Sequence, residues 1–396
     1  MIAQHYVDML GGKSVIRQLS EWSTARGKEI GYENVFDYSL GNPSVPCPPK
    51  FTQTMLHLLQ TCDPVTLHGY SPTLTIPSVR AAVAENLRSR FGAPYTADHI
   101  FMTTGAAGAL AHALRCVGVP GQNIITFAPF FSEYTPYVEG AGMTLRVVPP
   151  RVQDFQIDFD GLEALLDKDT AAVLINTPNN PSGVAYSPET LRNLAACLQA
   201  ASARFGHHIF LISDEPYREI VFGGAAQQHP AAYYPDTLTC YSFSKSLSLP
   251  GERIGYVAAN PACEKAELIV PMCGQISRGT GHNCPPSLIQ LAVAECLDVT
   301  SDLSVYERNM ELIYAELVRL GFAVLKPGGT FYIFPKALEA DATAFCRKAQ
   351  DYDLALVPGD GFGCPGYFRM AYCIETEKVE RSFEALRRFV RDCYGR

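Results

Sequence analysis

The stretch SFSKSLSLPGERIGY, residues 242–256, closes one apolar run, TLTCYSF (237–243), and opens the next, RIGYVAA (253–259). Short runs bounded in this way read as buried strands. The polar residues between them therefore lie on a strand-to-strand connection. That connection carries Lys245 between Ser244 and Ser246, with Arg253 eight residues further on. Hydroxyls plus a guanidinium suit a phosphate. A lysine held close to fixed cations has a depressed pKa and can form a Schiff base with an aldehyde. A lone lysine is ordinarily a solvated surface charge, and here the spacing changes that reading.

Outward from this stretch the same strand pattern recurs from His99 onward, in HIFMT (99–103), NIITFA (123–128), TLRVV (144–148), AAVLIN (171–176) and HIFLIS (208–213). These runs alternate with longer segments of helical period, which is the pattern of an α/β sheet. Between the first two, ALAHALRCV (109–117) places Leu110, Leu114 and Val117 at helical spacing before Gly118 and Pro120 stop it. Upstream, Pro77 suits a first helical turn, and Val79, Val83 and Leu87 share one face before Gly92. GNPSVPCPP (41–49) reads as a linker. Beyond about residue 290 long amphipathic segments return, with strand-like FAVLK (322–326) and TFYIF (330–334). This end is expected to join the N-terminal segment in a smaller α+β domain.

With 396 residues, 47% hydrophobic and 18% charged, the chain can bury a continuous core and is too long for one small domain. A net charge of −8, without a basic block, argues against nucleic acid as a partner. No signal peptide or membrane-length apolar run is visible, so a soluble, cytoplasmic protein is expected. The 13 cysteines show no C-x-x-C spacing and read as small buried hydrophobes in a reducing compartment, with no metal site.

Chemically distinctive residues cluster just past the C-terminal ends of the runs: Gly105, Phe131, Asn180, Asp214 and Lys245. That edge of an open parallel sheet is where ligands bind. TTGAAGAL (103–110) lies between a strand and a helix, so the N–H groups of Gly105, Ala106 and Ala107 can point at an anion. Its glycines are too few for a dinucleotide fingerprint or a P-loop.

Residues 242–255 satisfy every specified position of the class I/II aminotransferase lysine signature, and the resemblance runs from LGNP at Leu40 to FRMAY ending at Tyr372. It implies fold type I: a large domain (46–290) with a mostly parallel seven-stranded sheet between helices, and a small domain made of 1–45 together with 291–396. It implies pyridoxal 5'-phosphate on Lys245 and a homodimer with shared active sites. In such enzymes the aspartate of a D-x-x-Y pattern pairs with the pyridine nitrogen, so Asp214 takes that role here, with Tyr217 and Asn180 on the phenolic oxygen. Phe131 aligns with the aromatic that stacks on the ring. Ser242 and Arg253 fall in the phosphate-binding part of the signature, and Tyr70 matches a tyrosine that reaches the neighbouring subunit's cofactor. Arg369 matches the arginine that binds the substrate α-carboxylate, with Gly41 adding a backbone contact. Where the family pattern often has glycine, this chain has Thr75.

For the substrate side chain the resemblance offers two devices. One branch uses a lysine after the TTG-like turn, where this chain has Ala107. Another uses an arginine of the neighbouring subunit, for which Arg278, ahead of Pro285 and Pro286, is the counterpart displaced by about one position. Aspartate or glutamate is the preferred amino donor, with alanine, aromatic and sulfur amino acids as the alternatives, and a 2-oxo acid such as 2-oxoglutarate is the acceptor. Arg17 is a second candidate for a distal carboxylate, set against a solvated helix face. A carbon–sulfur β-lyase would use the same residues. A regulator built on an aminotransferase-like domain would carry an added DNA-binding domain, and the segment ahead of residue 40 is an acidic-to-neutral helical stretch.

Overall fold

The computed structural model describes residues 2, 7, 15–224, 227–281 and 284–396. The helix Val15–Ile30 leads to a two-residue strand, β1 (Phe36–Asp37). Seven strands then build one sheet: β2 (Ile100–Thr103), β3 (Asn123–Phe127), β4 (Thr144–Val148), β5 (Thr170–Asn176), β6 (Phe210–Asp214), β7 (Thr237–Ser242) and β8 (Gly255–Ala259). Their order is β2-β8-β7-β6-β5-β3-β4, with β8 antiparallel to both its neighbours and the other pairings parallel.

The period of two along each strand sorts side chains to opposite faces. Ile124, Leu174 and Ile212 face a core shared with the helices Gly105–Val117 and Ala266–Thr280. Ile125, Val173, Ile175 and Leu211 face another, formed with the helices Phe159–Leu165 and Pro188–Phe205. Burial on both faces explains why the runs read as continuously apolar. Each fully buried Leu or Ile stabilises the layers by roughly 1.5–3 kcal/mol.

The C-terminal part packs the helices Ser304–Arg319, Ala342–Gln350 and Thr376–Tyr394 around a further core that also takes in Tyr217, Ile220 and Phe222. Beside them lie β9 (Tyr332–Ile333), β10 (Leu354–Ala355), β11 (Val357–Pro358) and β12 (Phe368–Ala371). The order β11-β12-β9 forms a small antiparallel sheet, and β10 pairs in parallel with β1. FAVLK, expected as a strand, forms no ladder. It leaves the preceding helix through Phe322 N–H to Leu317 O (3.0 Å) and is held by Lys336 N–H to Ala323 O (2.9 Å). Phe322 is buried by packing against that helical core, so its apolar content marks burial without strand pairing.

The cysteine expectation holds only in part. All 13 are free, but Cys47, Cys62, Cys116, Cys197 and Cys284 are half-buried and Cys393 is exposed. A small thiol fits the shoulder of a helix as well as a core. Among the described residues no helix is long and apolar enough to cross a membrane.

Thr75 departs from the glycine pattern at a structural cost. It is fully buried with φ 72°, and its Oγ1 has no hydrogen-bond partner among the described residues. A β-branched residue in that region is strained by about 1–3 kcal/mol, which glycine would relieve. Thr75→Gly is expected to raise stability by about 1 kcal/mol after the greater entropy of an unfolded glycine is subtracted. Urea unfolding would show this as a higher midpoint at unchanged slope; a lower midpoint would mean that packing of the threonine methyl outweighs the strain.

Candidate active site

The sheet register assembles the site. It sets Asp214 beside Asn176 on one side and Cys240 on the other, and Gly255 beside both Ser242 and Thr103. The ends of five strands thus meet along one edge. Ser242 caps the four-residue helix Phe243–Ser246 by accepting from the Ser244 N–H at 3.2 Å, and that single turn presents Lys245. Lys245 Nζ donates to Gly41 O at 2.7 Å and lies 5.2 Å from the Phe331 ring centre. Withdrawal from water lowers its pKa to about 8, with Arg253 and Arg369 pushing the same way against an opposing contribution from Cys373.

Asp214 is buried at the end of β6. Tyr134 donates to its Oδ2 at 2.6 Å, while its Oδ1 has no partner among the described residues. Burial pushes this carboxyl up to about 7; the Tyr134 hydrogen bond opposes that rise and the charge of Glu215 adds to it. Chain alternation turns Glu215 to the other side, where Arg218 holds it at 2.7 Å. Asn176 Nδ2 donates to Asp214 O (2.9 Å), and its Oδ1 accepts the Asn180 N–H (2.7 Å), so one side chain ties two candidate residues together.

Arg369, 2% exposed, reaches in from β12. It donates to Asn180 Oδ1 at 3.0 Å and Ser39 O at 2.6 Å, it stacks 4.5 Å over the Tyr332 ring, and its Nε has no partner among the described residues. Arg253 adopts a left-handed backbone (φ 50°) and donates to Pro250 O at 3.0 Å and Thr104 O at 3.4 Å. It lies against Gly105, whose φ of 77° and contact with the guanidinium leave little room for a side chain. The helix Gly105–Val117 starts there, with Ala106 and Ala107 at its free N–H end.

Lys245, Asp214, Asn180, Tyr217, Ser242, Arg253, Arg369, Phe131, Gly41, Ala106 and Ala107 all line one cavity of 320 Å³. Gly105 stands behind its wall against Arg253. Tyr70, wholly exposed, and the exposed Arg278 lie elsewhere, together lining a concavity of 750 Å³ with Pro285 and Pro286. Arg17 points outward and pairs with Glu21 at 3.2 Å, while its neighbour Ile16 lines the cavity. Sequence reasoning missed Tyr134, Tyr137, Asn176, Ser39 and Tyr332. Tyr134 follows Phe131 by one helical turn in the same segment and was open to discovery. Tyr332 sits in a run read as core.

Comparison with known proteins follows the same lines. A family model described as aminotransferase class I and II matches residues 33–386. The chain belongs to this family. An aspartate aminotransferase of Geobacillus stearothermophilus is 30% identical over 365 residues, covering 86% of this chain and 89% of its own. The crystal structure of an amino transferase from Eubacterium rectale is 42% identical, with a TM-score of 0.96 and 100% of both chains covered. An aspartate aminotransferase of Thermotoga maritima has a TM-score of 0.86 at 26% identity, over 96% of this chain and 97% of its own.

This enzyme is therefore a pyridoxal 5'-phosphate-dependent aminotransferase of fold type I. The aminotransferase cavity fits that cofactor on its own evidence. An orphaned, buried Asp214 Oδ1 suits a protonated ring nitrogen, a helix start beside Arg253 suits a phosphate, and a lysine of lowered pKa suits an aldehyde.

Proposed function

We propose that this aminotransferase moves the amino group of an acidic L-amino acid, aspartate or glutamate, to a 2-oxo acid such as 2-oxoglutarate. The observation that carries the chemistry is the convergence of Lys245, Asp214 and Arg369 on one cavity. The bound cofactor supplies an aldehyde that accepts an amine and a protonated pyridine ring that draws electrons from the substrate Cα. Asp214 Oδ1 holds the ring nitrogen's proton. Asn180 and Tyr217 bind the phenolic oxygen, Phe131 covers the ring, and Ser242, Arg253 and the N–H groups of Gly105, Ala106 and Ala107 hold the phosphate. Arg369, fixed by Ser39 and Asn180, pairs with the α-carboxylate, and Gly41 adds its backbone. Lys245 Nζ, uncharged above about pH 8, takes the α-proton and returns it.

The acidic substrate is supported by relatives named aspartate aminotransferase and by Arg278, the exposed cation that shares a concavity with Tyr70. In a homodimer both would extend to the neighbouring subunit's site, Tyr70 toward the phosphate and Arg278 toward a distal carboxylate. A division into a large domain (46–290) and a small one (1–45 with 291–396) is supported by largely distinct cores, although Ala292, Val293 and Cys296 pack with Phe51, Val79 and Leu87 of the large part, and Tyr217, Ile220 and Phe222 with the small one. A cytoplasmic setting agrees with thirteen free cysteines.

A half-reaction screen of the loaded enzyme with single amino acids, read by visible absorbance and product analysis, tests this. Aspartate or glutamate should yield its oxo acid. Arg278→Ala should lower kcat/KM for it by roughly 10- to 100-fold, the equivalent of one charge-assisted contact, and Arg17→Ala should leave it unchanged. Ammonia and pyruvate from a sulfur amino acid would move the protein to the lyases.

A further inference from the structure

Tyr332 belongs to the site without an assigned task. It is 3% exposed, yet its side chain lines the same cavity as Lys245 and Arg369. Three contacts locate its hydroxyl. A β-carbon on Gly41 would collide with that oxygen, so the hydroxyl lies directly against the Gly41 backbone. The Tyr217 hydroxyl lies 3.4 Å from it. The Arg369 guanidinium covers the face of its ring at 4.5 Å. At 3.4 Å the Tyr217 contact is too long to claim either hydroxyl's proton, so the Tyr332 O–H is available to donate into the cavity.

The neighbours decide what it would meet there. Two Arg369 nitrogens are already engaged by Asn180 and Ser39, and its Nε is unpartnered among the described residues. A carboxylate drawn to that nitrogen has further lone pairs to satisfy in a buried place, where each unmet acceptor is costly. Beside the Tyr332 hydroxyl stands that of Tyr217, whose task under the reading above is the cofactor's phenolic oxygen. We propose that the Tyr332 hydroxyl contacts the substrate, donating a hydrogen bond to the α-carboxylate beside Arg369 and Gly41. This rests on the carboxylate role of Arg369 given above.

Tyr332→Phe isolates the hydroxyl, because the ring remains under the guanidinium. The loaded full-length enzyme is titrated with propionate, a carboxylate that cannot react, following its visible absorbance; separately, its half-reaction with ethylamine, an amine without a carboxylate, is timed. The variant should bind propionate about tenfold more weakly, as expected for one hydrogen bond to a charged group, and should react with ethylamine at the wild-type rate. Propionate binding within twofold of wild type, or an equal slowing with ethylamine, overturns the proposal, the latter showing that Tyr332 acts through Tyr217 on the cofactor. Absence of saturable propionate binding in the wild-type enzyme would instead show that the Arg369 reading had failed, which Arg369→Ala reports independently.

Discussion

A Lys245→Ala enzyme is expected to lose the covalent, borohydride-reducible link to pyridoxal 5'-phosphate and to transfer amino groups about 10⁴-fold more slowly. The residue combines two properties that no neighbour shares. Its amine reaches the cavity from a one-turn helix capped by Ser242, and withdrawal from water brings its pKa down to about 8. The uncharged amine, the nucleophilic form, therefore becomes the major form above about pH 8. Cofactor capture by the wild-type apoprotein should accelerate as pH rises and level off above about 8, since the proton is lost on that side. The other cations of the cavity, Arg253 and Arg369, carry guanidinium groups in place of a primary amine and cannot replace it. Mass analysis after borohydride reduction reads the link; a link that survives in Lys245→Ala would place the cofactor on another residue.

Asp214→Asn should weaken cofactor binding and slow amino transfer by roughly 10²- to 10³-fold, the kinetic equivalent of the ~3–5 kcal/mol lost when one partner of a buried ion pair is removed. The carboxyl sits in a dry strand end, with Oδ2 engaged by Tyr134 and Oδ1 unpartnered among the described residues. Without a cationic partner, burial holds its pKa up near 7. A protonated pyridine nitrogen supplies the missing charge, and the neutral amide of the variant could offer it no charge in return. Fluorescence titration of the apoprotein and single-turnover rates measure the two effects. Binding and turnover within threefold of wild type would sink the electron-sink role.

Legibility differed sharply among these residues. Lys245, Asp214 and Asn180 stand at the ends of apolar runs, so an α/β pattern already assigned them to one edge. The helix start at Gly105 was visible as a strand run followed by a helical period, and the helix Pro77–Phe91 is bounded by the proline and glycine read from sequence. FAVLK misled because apolar content reports burial, and Phe322 achieves it on a helix-packed segment. Tyr332 carried no such signal, since an aromatic residue in apolar surroundings looks like core.

By itself the sequence determined the layered sheet, the edge on which chemistry collects and the lysine signature, because period and spacing along the chain are local properties. The tertiary structure alone decided which distant groups meet there. Arg369 finds Asn180 across 189 residues and Ser39 across 330. The Tyr332 hydroxyl settles against Gly41, and Oδ1 of Asp214 and Nε of Arg369 are left, among the described residues, for a ligand to complete. Such contacts depend on register and side-chain packing between segments far apart in the chain, which no local period encodes.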